Sequence, residues 1–381
     1  MMPDTPTNAP LQAASGAFGL AAAAVRPVDD AAAADAQALS DRQTKPRGAL
    51  GLIEHLGCRL AAISGAVPPP VPEPVAVGVF AGDHGVLAQG VTPWPGEVTG
   101  QMVLNFLAGG AAVNVLARHA GADVEVVDVG IASDLPPEAE SAAMANGARL
   151  VRACVRRGTG DLAVEPAMTI DEARTALDVG AATAARLIGR GARGIAMGEM
   201  GIGNTTPSAA LIAAFTGQSA AAVTGRGTGV DDPMLATKVA VVQRGLDRAT
   251  AEIGDLAAAD PTAVLAQIGG LEIAALAGFI VGGAAARVPV IVDGVIACAA
   301  ALVAVALVPD TIGYLIAGHR SSEPGATVAL AHLGLDPVLD LGLRLGEGSG
   351  ATLAIPIVQA AAKILAEMAT FDQAGVSDKE A

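Results

Sequence analysis

The sequence predicts an α/β fold built on a mostly parallel, doubly wound sheet, and two observations carry that expectation. A short apolar run, a glycine-containing turn with polar residues and then a helical stretch recur at least four times, the pattern of parallel strands joined by crossover helices. In each repeat the polar residues fall just past the apolar run, where an open parallel sheet receives its ligands.

Taken in order, residues 1 to about 28 are rich in Ala, Pro, Thr and Asn without a period and read as a flexible leader. A helical pattern runs from Asp29 to about Leu39, and a second covers roughly Ala49 to Ile63 after the turn-like Thr44-Lys45-Pro46-Arg47-Gly48. The Pro-rich piece Val67 to Pro74 links these to the main domain. The four repeats begin with Val75 to Ala81 before Gly82-Asp83-His84-Gly85 and Gly194 to Met197 before Gly198-Glu199-Met200-Gly201. Val288 to Val292 before Asp293-Gly294, and Thr311 to Ala317 before Gly318-His319-Arg320, complete the set. Helical stretches are expected at Glu172 to Gly189, Met234 to Ile253, Leu271 to Ala285 and Ala351 to Met368. Asp83, Glu199, Asp293 and His319 are therefore expected to converge.

The bulk numbers bound the function. With 381 residues and 52% hydrophobic content the chain can bury a large core. The 23 basic against 38 acidic residues leave a net charge of −15, which opposes broad attraction to nucleic acid or an anionic membrane. The apolar stretch Ile296 to Val308 is too short to span a bilayer, which takes about 20 residues, and reads as a buried core helix. Cys58, Cys154 and Cys298 form no C-x-x-C pair, so neither a disulfide framework nor a zinc site is expected. No basic segment leads into an apolar one near the N-terminus, and a cytoplasmic location is the expectation.

Four glycine-rich loops carry the chemistry. Glu199 to Thr206 follows a strand and opens a helix, so its glycines let backbone approach a ligand while free N–H groups face an anion. Gly201, Gly203, Asn204, Thr205 and Thr206 fit a phosphate there, although a Thr-capped βα turn has the same letters. The loop is neither a Walker A sequence nor a complete G-x-G-x-x-G. Gly225-Arg226-Gly227-Thr228-Gly229, followed by Lys238, is a second cationic loop that suits phosphate or an exposed hairpin. Gly318 to Gly325 adds Ser321 and Ser322, with Pro324 starting the next helix. Leu345-Gly346-Glu347-Gly348-Ser349-Gly350 sets one carboxylate between glycines, either as a first-turn charge or as a desolvated general base. Asp83, His84, Asp293 and His319 lack ligand-dense spacing, so no metal is expected.

Together these segments resemble the nicotinate-nucleotide:dimethylbenzimidazole phosphoribosyltransferase family. The matching pieces, in the family's order from about residue 44 to 368, are Thr44 to Gly51, Phe80 to Val86, Glu97-Val98-Thr99 with Gln101-Met102-Val103, Gly198 to Thr206, Gly225 to Gly229, Gly318 to Gly325 and Arg344 to Gly350. The resemblance implies a large Rossmann-like domain over 75–350 and a small helical domain from 29–66 plus about 351–375, assembled as a homodimer. It implies phosphoribosyl transfer from nicotinate mononucleotide to 5,6-dimethylbenzimidazole without a cofactor. Glu347 takes the place of the catalytic base, Glu199 of a second carboxylate and Lys238 of a phosphate-site lysine. Asp83, Gln101, Gly227, Asp293, Ser321, Ser322 and Gly348 join the glycine-loop residues as expected substrate contacts. Trp94 stands in the stretch expected to border the base pocket, so adenine, another benzimidazole or a phenol remain rival acceptors. A non-catalytic nucleotide-binding protein would not need both Glu199 and Glu347. A nicotinamide-dependent dehydrogenase would show a complete G-x-G-x-x-G where this chain has Gly82-Asp83-His84-Gly85.

Overall fold

The computed structural model describes residues 16–145, 148–227 and 229–377. Six strands form one parallel sheet: β1 (Val75–Gly82), β2 (Asp123–Gly130), β3 (Arg149–Arg152), β4 (Gly194–Met200), β5 (Val290–Val292) and β6 (Leu315–Ala317), in the order β3-β2-β1-β4-β5-β6. The strand order reverses between β1 and β4, the place where doubly wound sheets open a crevice for ligands. β1 pairs with β2 from Ala76 opposite Asp123 and with β4 from Val75 opposite Gly194.

Period-2 alternation sends β1 into two cores. Val77, Val79 and Ala81 pack with Leu56, Leu60, Phe106, Ile355 and Val358 on one face. Ala76 and Phe80 face the helices Ile170–Gly189, Leu271–Ala285 and Val295–Leu307 on the other. Every residue from Leu271 to Ala284 is buried, which only an almost wholly apolar sequence tolerates. Its backbone lies directly against the neighbouring helix: a Cβ at Gly180 would sit 1.8 Å from the Ala275 carbonyl oxygen, and one at Gly278 would sit 2.0 Å from that of Leu177.

Several elements differ from the sequence reading, each for a physical reason. β2 and β3 were not among the four expected runs. Glu125 interrupts the apolar stretch of β2, yet it is buried because Arg186 and Arg190 reach it at 2.5 and 2.7 Å. β3 is a four-residue edge strand with both ends exposed. β4 runs on through Met200 instead of stopping at Met197, so Glu199 is itself a paired strand residue opposite Phe80. The stretch from Pro309 to Tyr314 is a 3-10 turn, and β6 begins only at Leu315.

The expected flexible leader also needs correcting where it is described. Ala17–Ala24 is a helix, and Asp178 accepts a hydrogen bond from the Phe18 N–H at 2.7 Å while Phe18 and Val25 are buried. Residues 1–15 lie outside the described residues. Farther on, the helices Asp30–Asp41, Leu52–Ser64 and Ser349–Glu367 pack through Ala36, Ala61 and Leu365. The Gln43 side-chain amide donates to the Ile364 carbonyl at 2.8 Å, and Gln43 bridges to Thr370. Among the described residues two stretches, 98–120 and Ser349–Glu367, are long and apolar enough to cross a membrane by length and composition. The first is broken into Val98–Leu107 and Ala112–Ala120, and the second packs its apolar face on the sheet.

Candidate active site

The carboxyl ends of β1, β4, β5 and β6 open onto a cavity of about 690 Å³. Its lining combines apolar side chains, among them Val91, Trp94, Val98, Met102 and Leu343, with the cationic Arg226, Lys238 and Arg344. Two carboxylates, Glu199 and Glu347, line the same cavity. A cavity with both kinds of side chain suits a ligand with a flat apolar part and an anionic part.

The cationic part of the wall adjoins the helix Thr205–Thr216, which Gly201 to Asn204 lead into along the cavity wall. Free backbone N–H groups at a helix start favour an anion. Lys238, on the helix Asp232–Ile253, is 2% exposed and donates to the Thr205 hydroxyl at 2.7 Å and to the Gly225 carbonyl at 3.1 Å. Burial pulls its pKa down to about 8, and the nearby Glu323 carboxylate opposes that fall. Glu323 accepts from the Gly227 N–H at 2.9 Å, and Arg344 donates to the Gly227 carbonyl at 3.1 Å, so the second glycine loop is held from both sides.

The carboxylates are held as carefully. Glu347 lies in the left-handed region with φ 63°, between Gly346 at 82° and Gly348 at 84°. A non-glycine residue there costs about 1–2 kcal/mol, so the surroundings must impose it. The Glu347 N–H donates to Glu199 Oε1 at 3.3 Å, the Gly348 N–H donates to Asp293 Oδ2 at 3.1 Å, and the Ser349 hydroxyl donates to the Gly346 carbonyl at 2.7 Å. The Glu347 carboxylate has no hydrogen-bond partner among the described residues. Burial raises its pKa to about 7, with the negative charge of Asp293 adding to the rise. Burial likewise raises Glu199 to about 8, helped by Asp293 and Glu272 and opposed by the hydrogen bond from the Asn204 side chain.

Not every expected residue reaches the cavity. Glu199, Gly201, Gly203, Asn204, Thr205, Gly227, Lys238, Ser321 and Glu347 line it. Asp83 does not: its Oδ2 accepts from the Ala132 N–H at 2.8 Å, tying β1 to the loop after β2. Gln101 is exposed on its helix, while Val98 and Met102 of the same helix face the cavity. Thr206 is fully buried and absent from the cavity wall. Ser322 borders a second, adjoining cavity of about 430 Å³ with Arg226 and Arg344. Asp293 and Gly348 lie behind the wall rather than in it. His84 is turned inward to a 2.7 Å contact with Glu272, and His319 lies 3.5 Å from Asp293. Among the described residues no group of three or more His, Cys, Asp or Glu side chains is placed to hold a metal ion.

The comparisons with known proteins bear on this geometry directly. A family described as phosphoribosyltransferase matches residues 25–376. The nicotinate-nucleotide–dimethylbenzimidazole phosphoribosyltransferase of Salinispora tropica is 58% identical over 363 residues, which cover 94% of this chain and 98% of the relative. The chain belongs to the nicotinate-nucleotide:dimethylbenzimidazole phosphoribosyltransferase family. The Chloroflexus aurantiacus relative of the same name is 52% identical over 355 residues, 93% of this chain and 97% of its own. The crystal structure of CobT from Thermus thermophilus superposes with a TM-score of 0.84 at 47% identity, covering 91% of this chain and 99% of that one.

Within this family frame, the residues that sequence reasoning missed are chiefly apolar. Val91 and Leu343 carry no motif and are found only by their place on the wall, and Met102 and Leu345 lay in quoted segments without a role. Arg344 was quoted in a matching segment without a role. Its guanidinium beside Gly227 joins two loops 117 residues apart, which no local pattern signals.

Proposed function

We propose that the chain transfers the phosphoribosyl group of nicotinate mononucleotide to 5,6-dimethylbenzimidazole, giving α-ribazole 5′-phosphate and nicotinate for the lower ligand of cobamides. The observation that carries the reading is a buried carboxylate without a partner among the described residues, Glu347, raised to about 7 in a cavity whose wall also holds apolar and cationic side chains. A general base is most effective when its pKa is near the working pH.

In this reading the donor phosphate lies at the start of the Thr205–Thr216 helix against Lys238, with Gly201, Gly203, Gly227 and Ser321 around it. The flat acceptor enters beside Trp94, Val98 and Met102. Glu347 takes the N–H proton of the benzimidazole while the other ring nitrogen attacks C1′ from the face opposite nicotinate. The C1′–N bond to nicotinate breaks, its electron pair returns to the pyridinium nitrogen, and that nitrogen leaves neutral. Attack from the opposite face inverts the anomeric centre and gives the α linkage. Glu199, largely protonated near pH 7, holds the Glu347 backbone and gives the ribose a neutral hydrogen-bonding neighbour. The gain comes mainly from orientation of two reactants in one cavity.

The family membership also supports a homodimer, as do Leu104 and Val115, large apolar side chains left exposed on neighbouring helices. Light scattering on purified protein tests the oligomer. The activity is tested with nicotinate mononucleotide and 5,6-dimethylbenzimidazole without added metal, following nicotinate and the new nucleotide by chromatography and mass. Appearance of α-ribazole phosphate is the expected result. No product with this base or with a panel of alternative acceptors would overturn the reading.

A further inference from the structure

Asp293 follows β5, where a ligand contact would be expected, yet it is 1% exposed and absent from the cavity wall. Both of its oxygens are committed to backbone on the far side of Glu347. Oδ2 accepts from the Gly348 N–H at 3.1 Å and Oδ1 from the Ala351 N–H at 2.8 Å. Ala351 lies in the first turn of the helix Ser349–Glu367, whose N-terminal N–H groups have no partners within the helix. Gly348, the residue before that helix, carries no side-chain cap, so Asp293 supplies from another strand what a local Ser or Asp would ordinarily supply. On its near side, Glu347 is held through its own N–H by Glu199. Two carboxylates from adjacent strands thus grip consecutive peptide groups of a left-handed residue that would not hold that conformation unaided.

We infer that Asp293 is a positioning residue of the reaction, fixing the Glu347 carboxylate toward the acceptor through the Gly348 and Ala351 amides without itself touching either substrate. The inference rests on the reading of Glu347 as the base. It also gives Asp293 a second effect, because its negative charge lies close enough to Glu347 to favour the protonated carboxyl. The other charged groups around this spot are Glu199 after Gly198 on β4, Glu272 at the start of its helix, Arg344 in the loop of Glu347 and His319 after β6. His319 faces Asp293 at 3.5 Å and is pressed against Gly350, where an added Cβ would fall 1.9 Å from the imidazole Cδ2. Its affinity for a proton is raised by the Asp293 carboxylate against the opposing effect of burial.

The test compares Asp293→Asn, Asp293→Glu, Glu347→Gln and the double variant Asp293→Asn with Glu347→Gln. For Asp293→Asn, which places an NH2 against one of the two amides and removes the charge, kcat is expected to fall on the order of 10²-fold, the penalty for misplacing a catalytic group by about 1 Å. KM for nicotinate mononucleotide should stay within about twofold, since uniform binding is untouched. The acid limb of the kcat–pH profile should move to lower pH, because Glu347 loses a neighbouring negative charge and ionises more readily. Asp293→Glu keeps the charge but displaces the oxygens, so it should lose turnover with the limb unmoved, and it decides the matter if the Asn variant fails to fold. The double variant should be no slower than Glu347→Gln alone, the signature of a residue acting through another.

A wild-type kcat and limb in Asp293→Asn, or a raised donor KM with unchanged kcat, overturns the assignment. A fully active Glu347→Gln instead removes the base itself, a separate failure from an inactive Glu347→Gln beside a normal Asp293→Asn.

Discussion

Turnover should depend on pH through Glu347 alone over the acid half of the range, and the structure sets the midpoint. An exposed carboxylate titrates near 4.5, and Glu347 is raised to about 7, first by burial and then by Asp293. The base works only when ionised, so lowering the pH through 7 removes the active form. With a midpoint near 7, about nine-tenths of the enzyme carries the ionised base at pH 8 and about 3% at pH 5.5, a loss of roughly 30-fold in kcat. The assay is nicotinate release at saturating donor and acceptor from pH 5.5 to 9, because kcat reports groups in the ternary complex whereas kcat/KM also carries the titration of the free base substrate. Glu347→Gln, nearly the same size, should lose turnover by at least about 10²-fold, within the range typical of general base removal, while keeping donor binding. A flat wild-type kcat from pH 5.5 to 8, or a Gln variant with normal turnover and weakened donor binding, would refute the role.

Other outcomes follow from the same geometry. Lys238→Met removes a buried cation from the cavity wall and should weaken donor affinity about 10- to 100-fold, the worth of a hydrogen bond to a charged group, measured by calorimetry; in the wild type the same weakening should appear as the pH rises past 8. Gly348→Ala must place a Cβ 2.9 Å from the Met197 carbonyl oxygen at a φ of 84°, so it should lower the unfolding free energy by about 2–4 kcal/mol and depress kcat; an unchanged melting temperature contradicts this. Glu199 has a folded-state pKa raised from 4.5 to about 8, so the stability it contributes is present below 4.5 and lost as pH rises through 8. Melting temperature should therefore fall between pH 5 and 8.5 in the wild type, and Glu199→Gln should flatten that slope. Trp94→Ala should raise the acceptor KM roughly 2- to 10-fold, the contribution of one aromatic contact, and leave the donor KM alone.

The alternation of apolar runs, glycine turns and helices made the doubly wound sheet legible, because two-sided burial leaves little choice of residue in β1 and β4. β2 was obscured by Glu125, whose burial depends on arginines more than 60 positions away in the chain. The loops that line the cavity were legible through their glycines. What the letters did not convey was the direction of each side chain. Asp83 and Asp293 both follow strands at the open end of the sheet, yet one ties two loops together and the other grips the start of a helix. Gln101 and Met102 are neighbours, and only the helical rotation between them decides that the thioether, not the amide, faces the cavity.

The packing of Gln43 against the carbonyls at 364, 365 and 368 has a consequence for how the protein is made. Glu347 stands at the foot of the helix that those contacts brace, and 321 positions separate Gln43 from the first of those carbonyls. The early helices must therefore wait, while the whole sheet is synthesised, for the partner they close upon. A nascent chain thus completes strands β1 to β6 before the helix that closes on those early segments has emerged.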